Sequence, residues 1–126
     1  MTKFRDCKML GLHFEHCNTL GFECSFQGCN LTHSSFFGLK IKKTLFSNTL
    51  LYECDFANAD LSDAVFEKCD LSGTVFENTT LEKADLRTAY NYSIDPELNM
   101  LKKAIFGLSG LAGLLNKYNL EIDEDS

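Results

Sequence analysis

Thiols, imidazoles and carboxylates are the side chains here that could do chemistry. Six cysteines, Cys7, Cys17, Cys24, Cys29, Cys54 and Cys69, raise the question of a zinc site or a disulfide framework. Cys24 and Cys29 have four residues between them, but no second Cys or His pair follows at metal-ligand spacing. The histidines, His13, His16 and His33, lack a carboxylate or nucleophile at a recognisable catalytic spacing. No glycine-rich phosphate loop or Walker pattern is present. The chain therefore reads as a non-enzyme with no catalytic, metal or cofactor-binding residues. Its carboxylates remain. Residues 44–90 hold nine acidic against three basic side chains, whereas residues 1–43 hold six basic against three acidic. Glu53, Asp55, Asp60, Asp63, Asp70, Glu77 and Asp85 are the candidate partner-binding acidic surface.

What must position these groups is a repeat. From Phe26 to Leu86 an apolar residue falls on every fifth position without a miss, and Phe occupies every second one up to Phe76. Such a period over half a chain marks stacked units. Two positions before each apolar centre the residue is small, with Leu39 as the exception. The residue between is often polar, and the two that follow are mostly polar or glycine. Three residues of strand-like alternation and a two-residue corner make each unit. The small inward slot accounts for Cys24, Cys29, Cys54 and Cys69 as reduced, buried small hydrophobes. An even number of sides per turn would keep Phe stacked on Phe.

Upstream, Phe4, Met9 and Phe14 keep the period in a shifted frame, with Thr19 next and Phe26 seven residues later. Two extra residues near 19–22 fit a bulge at Gly21. In this frame Cys7 and Cys17 also take the inward slot, and seventeen units fill a little over four coils.

Ala59-Asp60-Leu61-Ser62-Asp63 and Ala84-Asp85-Leu86-Arg87-Thr88 resemble the consensus of the pentapeptide-repeat family. The resemblance covers about residues 1–90. It implies an all-β solenoid, a right-handed quadrilateral β-helix with four pentapeptides per coil. Residues twenty apart then stack, placing Phe26, Phe46 and Phe66 on one wall and Phe36, Phe56 and Phe76 on the opposite one. Cys7 lies beneath Cys29, Lys43, Asp63 and Lys83 line up outside, and Glu67 lies below Arg87.

At Asn91 an apolar centre is due and missing. Asp95-Pro96 reads as an N-cap and first helical residue, predicting a helix to about Phe106, with Gly107 ending it and Ser109 opening a second. Residues 91–126 are thus expected to form a short C-terminal α-helical cap and dimerisation segment with an acidic tail. The stretch from Asn91 to Leu115 resembles the C-terminal end of the quinolone-resistance-like branch of the family. That resemblance implies a homodimer through Leu101, Ile105, Phe106, Leu111, Leu114, Leu115 and Tyr118. It also implies DNA gyrase or topoisomerase IV as partner, bound by an acidic rod that imitates duplex DNA. The competing reading is a scaffold for an unidentified protein. Direct nucleic-acid binding is not expected of an acidic rod. The first ten residues hold no apolar run and Leu98 to Leu115 is interrupted by Lys102 and Lys103, so no signal peptide or membrane span is expected, and the cytoplasm is the expected location.

Overall fold

The computed structural model describes residues 2–16 and 24–123. The expected two-residue shift near 19–22, the Cys17–Thr19 unit and the end of the acidic tail lie outside the described residues.

Strands β1 (Thr2–Arg5), β2 (Cys24–Gln27), β3 (Leu45–Ser47), β4 (Val65–Glu67), β5 (Asp85–Leu86) and β6 (Ile105–Phe106) form one parallel sheet in chain order. Phe26 pairs with Phe46, Phe46 with Phe66, and Leu86 with Phe106, each twenty residues on, whereas Phe4 pairs with Phe26. This sheet is the first face. Single bridges build three more ladders: Asn30–Leu50–Asp70–Tyr90 on the second face, Ser35–Asp55–Val75 on the third and Lys40–Asp60–Thr80–Met100 on the fourth. Four ladders per twenty residues make a four-sided parallel β-solenoid of about five turns.

The core follows the period. Phe4, Phe26, Phe46 and Phe66 stack with centroids 5.0–5.2 Å apart, and Phe14, Phe36, Phe56 and Phe76 with centroids 4.6–5.6 Å apart. The two walls meet edge-to-face; Phe46 and Phe56, for example, lie 5.8 Å apart at 81°. Every ring of the two walls except Phe4 thus satisfies both favoured aromatic geometries at once. Leu31, Leu51 and Leu71 fill one remaining side and Ile41, Leu61 and Leu81 the other, all buried.

Corners are equally regular. Two residues after each centre, from Gly28 to Lys83, twelve successive positions have φ between 49° and 70°. Only Gly28, Gly38 and Gly73 among them are glycine. The left-handed conformation costs a side-chain-bearing residue about 1–2 kcal/mol, but it aims the N–H at the next coil. Lys43 donates to Ser62 and Asp63 to Glu82, both at 2.9 Å. A bond from the following N–H back to the centre, as Ala64 to Leu61 at 3.0 Å, closes a turn of type II character.

The small inward slot is also a hydrogen-bonding position. Thr74 donates its hydroxyl to the Leu51 carbonyl at 2.6 Å and Thr79 to Phe56 at 2.9 Å. The thiols of Cys54 and Cys69 donate likewise to Leu31 and Phe46, at 2.9 and 3.2 Å. These cysteines are more than small hydrophobes: they serve a carbonyl of the preceding coil, and burial pushes both up to about 12.

The C-terminal expectation needs correction. No α-helix runs from Asp95 to Phe106. The solenoid instead continues through a fifth turn, with Thr80 bridged to Met100 and β5 paired with β6. Asp95 does cap the Glu97 N–H at 2.9 Å, but it closes a corner rather than opening a helix. Pro96, twenty residues after Phe76, is exposed, while Tyr92 and Ile94 are buried. Ile94 stands where Cys54 and Thr74 stand in earlier coils. Beyond β6 the chain makes two short 3-10 helices, Leu108–Leu114 and Asn116–Tyr118.

Candidate interaction surface

The residue before each centre points outward, and Asp or Asn there performs a local task. Its carboxylate or amide oxygen accepts the N–H two residues on: Ala57 to Asp55 at 2.8 Å, Ser62 to Asp60 at 3.0 Å, Ser72 to Asp70 at 3.1 Å and Arg87 to Asp85 at 3.0 Å. These are Asx turns that stiffen the corners. Four of the seven candidate partner-binding acids therefore have an oxygen committed to their own backbone.

Their environments differ. Asp70 is buried, with 8% of its surface exposed. Burial raises its pKa, but the Ser72 hydroxyl at 2.7 Å, the Asn91 amide at 3.2 Å and the Tyr52 hydroxyl outweigh it and hold the carboxyl below its usual range. Asp85 is lowered first by its hydrogen bonds from Arg87, whose guanidinium grips both carboxylate oxygens. Arg87 thus pairs within its own coil and not with Glu67. At Asp60, burial is again outweighed, by hydrogen bonds from Ser62 and by Lys42 at 3.7 Å. Glu53 is exposed and pairs with His33 at 3.0 Å. Asp63 and Glu77 are exposed corner residues.

The ladders distribute these acids around the rod. Asp85 is on the first face, Asp70 on the second, Asp55 on the third and Asp60 on the fourth, while Glu53, Asp63 and Glu77 take three different corners. The seven form no single stripe.

The apolar surface is denser at one end, although Leu10, Leu12, Phe37, Val75 and Tyr90 are also exposed along the rod. Leu98, Met100, Ile105, Leu108, Leu111, Leu115, Tyr118, Leu120 and Ile122 are all exposed, Leu108 at 86%. Leu108, Leu111, Leu115 and Ile122 line an apolar cavity of about 600 Å³. Of the candidate dimer residues, Ile105, Leu111, Leu115 and Tyr118 belong to this surface. Leu101, Phe106 and Leu114 turn inward and pack on the core. Leu98, Met100, Leu108, Leu120 and Ile122 were missed. Continuing the twenty-residue spacing from Leu81 to Leu101 would have turned Leu98 and Met100 outward.

This end is fixed in place. Gly110 and Gly113 allow the first 3-10 helix to lie on Tyr92, because a Cβ at either would stand within 2.3 Å of its hydroxyl or carbonyl. Ile94 N–H donates to the Gly113 carbonyl at 2.9 Å. Lys117 bridges Asp95 and Glu97 at 3.1 and 3.0 Å, and Tyr118 donates to Glu97. Among the described residues no group of three or more His, Cys, Asp and Glu could hold a metal ion, and no helix is long and apolar enough to cross a membrane.

No curated protein matches the sequence. Solved structures share the fold, among them the following two. One is trypsin-treated QnrB1, described as a plasmid-mediated fluoroquinolone resistance protein, with TM-score 0.58 and 18% identity over 96% of this chain and 58% of that one. The other is HetL, a pentapeptide repeat protein involved in heterocyst differentiation regulation from the cyanobacterium Nostoc sp. strain PCC 7120, with TM-score 0.55 and 20% identity over 84% of this chain and 46% of that one. The chain thus spans about half the length of these two. Residues 49–87 match the model for pentapeptide repeats in eight copies. Those copies sit inside a four-sided register that runs unbroken from Phe26 to Leu86, so residues 49–87 carry pentapeptide repeats within a longer solenoid of the same geometry.

Proposed function

We propose that this chain is a non-catalytic rod that works by protein–protein contact, and that two copies join through their C-terminal ends. One observation carries the reading: nine exposed apolar side chains lie between Leu98 and Ile122, on a segment tied down by Tyr92 and Lys117, whereas Leu10, Leu12, Phe37, Val75 and Tyr90 are spread along the rest of the rod. A contiguous exposed apolar patch of this kind marks an interaction site, and a two-fold contact is the commonest way to cover one. Light scattering at micromolar concentration tests it: a dimer is expected, and a monomer would remove the idea.

For the further partner we favour a scaffold role over imitation of DNA. A DNA mimic needs carboxylates aligned along one side to enter a basic groove. Here they occupy four faces, and four of them cap corners. The fold shared with QnrB1 keeps gyrase as the alternative partner. A supercoiling assay with and without quinolone separates the two, with neither inhibition nor protection expected. Either effect at micromolar concentration would restore the gyrase reading.

A further inference from the structure

We propose that Cys7 and Cys29 form a thiol–disulfide couple that clamps the first coil to the second when a low-molecular-weight disulfide reaches Cys7. The register places them together. Lys8 bridges Asn30 in parallel, Asn30 N–H donates to the Cys7 carbonyl at 2.9 Å, and Met9 N–H donates to the Asn30 carbonyl at 2.8 Å. Cys7 and Cys29 are therefore opposite one another in adjacent coils, and both take the inward slot. Neighbouring strands lie about 4.8 Å apart, inside the range of roughly 4.4–6.8 Å that a disulfide spans between Cα atoms. The Cys29 thiol points toward the first coil, 3.4 Å from the Phe4 carbonyl, and the Cys7 thiol is within hydrogen-bonding reach of it.

Access separates the two roles. Cys7 is half-buried and Cys29 is fully buried. With oxidised glutathione, the Cys7 thiolate attacks one sulfur and the other leaves as glutathione thiolate. Cys29, deprotonated, then attacks the Cys7 sulfur of the mixed disulfide and expels the second glutathione. Two protein thiols are oxidised, one glutathione disulfide is reduced to two thiols, and atoms balance. Cys54 and Cys69 have no such neighbour: Ser34 and Thr74 flank Cys54 in the adjacent coils, and Thr49 and Ala89 flank Cys69.

The chain is incubated with oxidised glutathione, quenched with an alkylating agent and mapped by mass spectrometry. The expected product has lost two hydrogens, yields a linked Cys7–Cys29 peptide, exchanges amides more slowly over residues 2–16 and leaves residues 65–106 unchanged. Glutathione resting on Cys7 beside an open Cys29 thiol would overturn the proposal, and so would a link from Cys7 to Cys17. Cys29→Ser places in the slot a hydroxyl like that of Ser34, which bonds the Met9 carbonyl at 2.9 Å, so the variant keeps the fold. It should stop at one glutathione on Cys7. Cys7→Ser is the independent check: Cys29 should then stay reduced, and its oxidation at the parent rate would refute the order of attack.

Discussion

The middle coils, residues 45–86, and the C-terminal stretch from Asn91 to Asp123 use the same twenty-residue turn to opposite ends. In the middle, every centre is apolar and buried, every inward slot is small, and every outward residue is free to be polar. At the end, the centres at Asn91 and Pro96 fail, larger residues such as Ile94 and Tyr92 fill the core from neighbouring slots, and leucines surface. Regularity makes a rod whose exposed apolar side chains, Phe37 and Val75 among them, are isolated. Irregularity makes the place where something else can attach.

The largest effect is expected from cutting the regular core. Phe56 stacks on Phe36 and Phe76, meets Phe46 and Phe66 edge-on and is fully buried. Phe56→Ala should cost about 3–5 kcal/mol in a urea titration, as a cavity that rigid neighbours cannot close. Phe106→Ala, half-buried and meeting only the tilted Tyr92 ring among the aromatics, should cost about half of that. Equal losses would mean that the two regions do not differ in packing.

Next comes the inward slot. Thr74→Val keeps the shape and removes the donor to the Leu51 carbonyl, a buried acceptor. The Leu51 carbonyl keeps the Cys54 N–H at 3.3 Å, so a loss of about 0.5–1.5 kcal/mol is expected. No change in the urea midpoint would show that the slot selects for size alone, as the sequence pattern suggested.

Acid should act more gently. Asp60, Asp70 and Asp85 have folded-state pKa values lowered below those of the unfolded chain. The stability they contribute is present above the ordinary carboxylate pKa of about 4 and is lost as pH falls through their lowered values. The urea midpoint should be flat from neutral pH to about 5 and then decline below about 4. Asp70→Asn keeps the turn acceptor and should flatten the decline. A decline unchanged in that variant would assign it to other carboxylates.

How much of this the sequence could reveal depended on how strictly a position was repeated. The five-residue period and an even number of sides were legible, because thirteen centres agree and Phe takes every second one, while four sides per coil came with the family resemblance. The fifth turn was not, because Asn91 and Pro96 break the local pattern while only Leu101 and Phe106 continue it at long range. Asp95-Pro96 then imitated a helix start whose cap hydrogen bond is real but closes a corner. Of the surface, the acids were found by composition, which is blind to face. Their scatter over four sides and their service in Asx turns needed coordinates. The apolar end was half legible: Ile105, Leu111, Leu115 and Tyr118 were named, while Leu98 and Met100 were assigned to a helix that does not form.

The smallest effect on stability should accompany the largest on assembly. Leu108 exposes 86% of its surface and precedes the glycines that seat the segment on Tyr92. Replacing it by Glu removes no core contact, so the unfolding transition of the isolated chain should move by no more than about 0.5 kcal/mol. A carboxylate at the centre of an apolar two-fold contact would face its own copy and lose its water, and both effects oppose association. Leu108→Glu should therefore weaken self-association at least about tenfold, a change of 1.4 kcal/mol, when concentration series are compared by sedimentation. Asp63→Lys, an exposed corner far along the rod, should leave association untouched. If Asp63→Lys disrupts the pair and Leu108→Glu does not, the contact runs along the regular faces, and the contrast between a regular rod and an adhesive end is wrong.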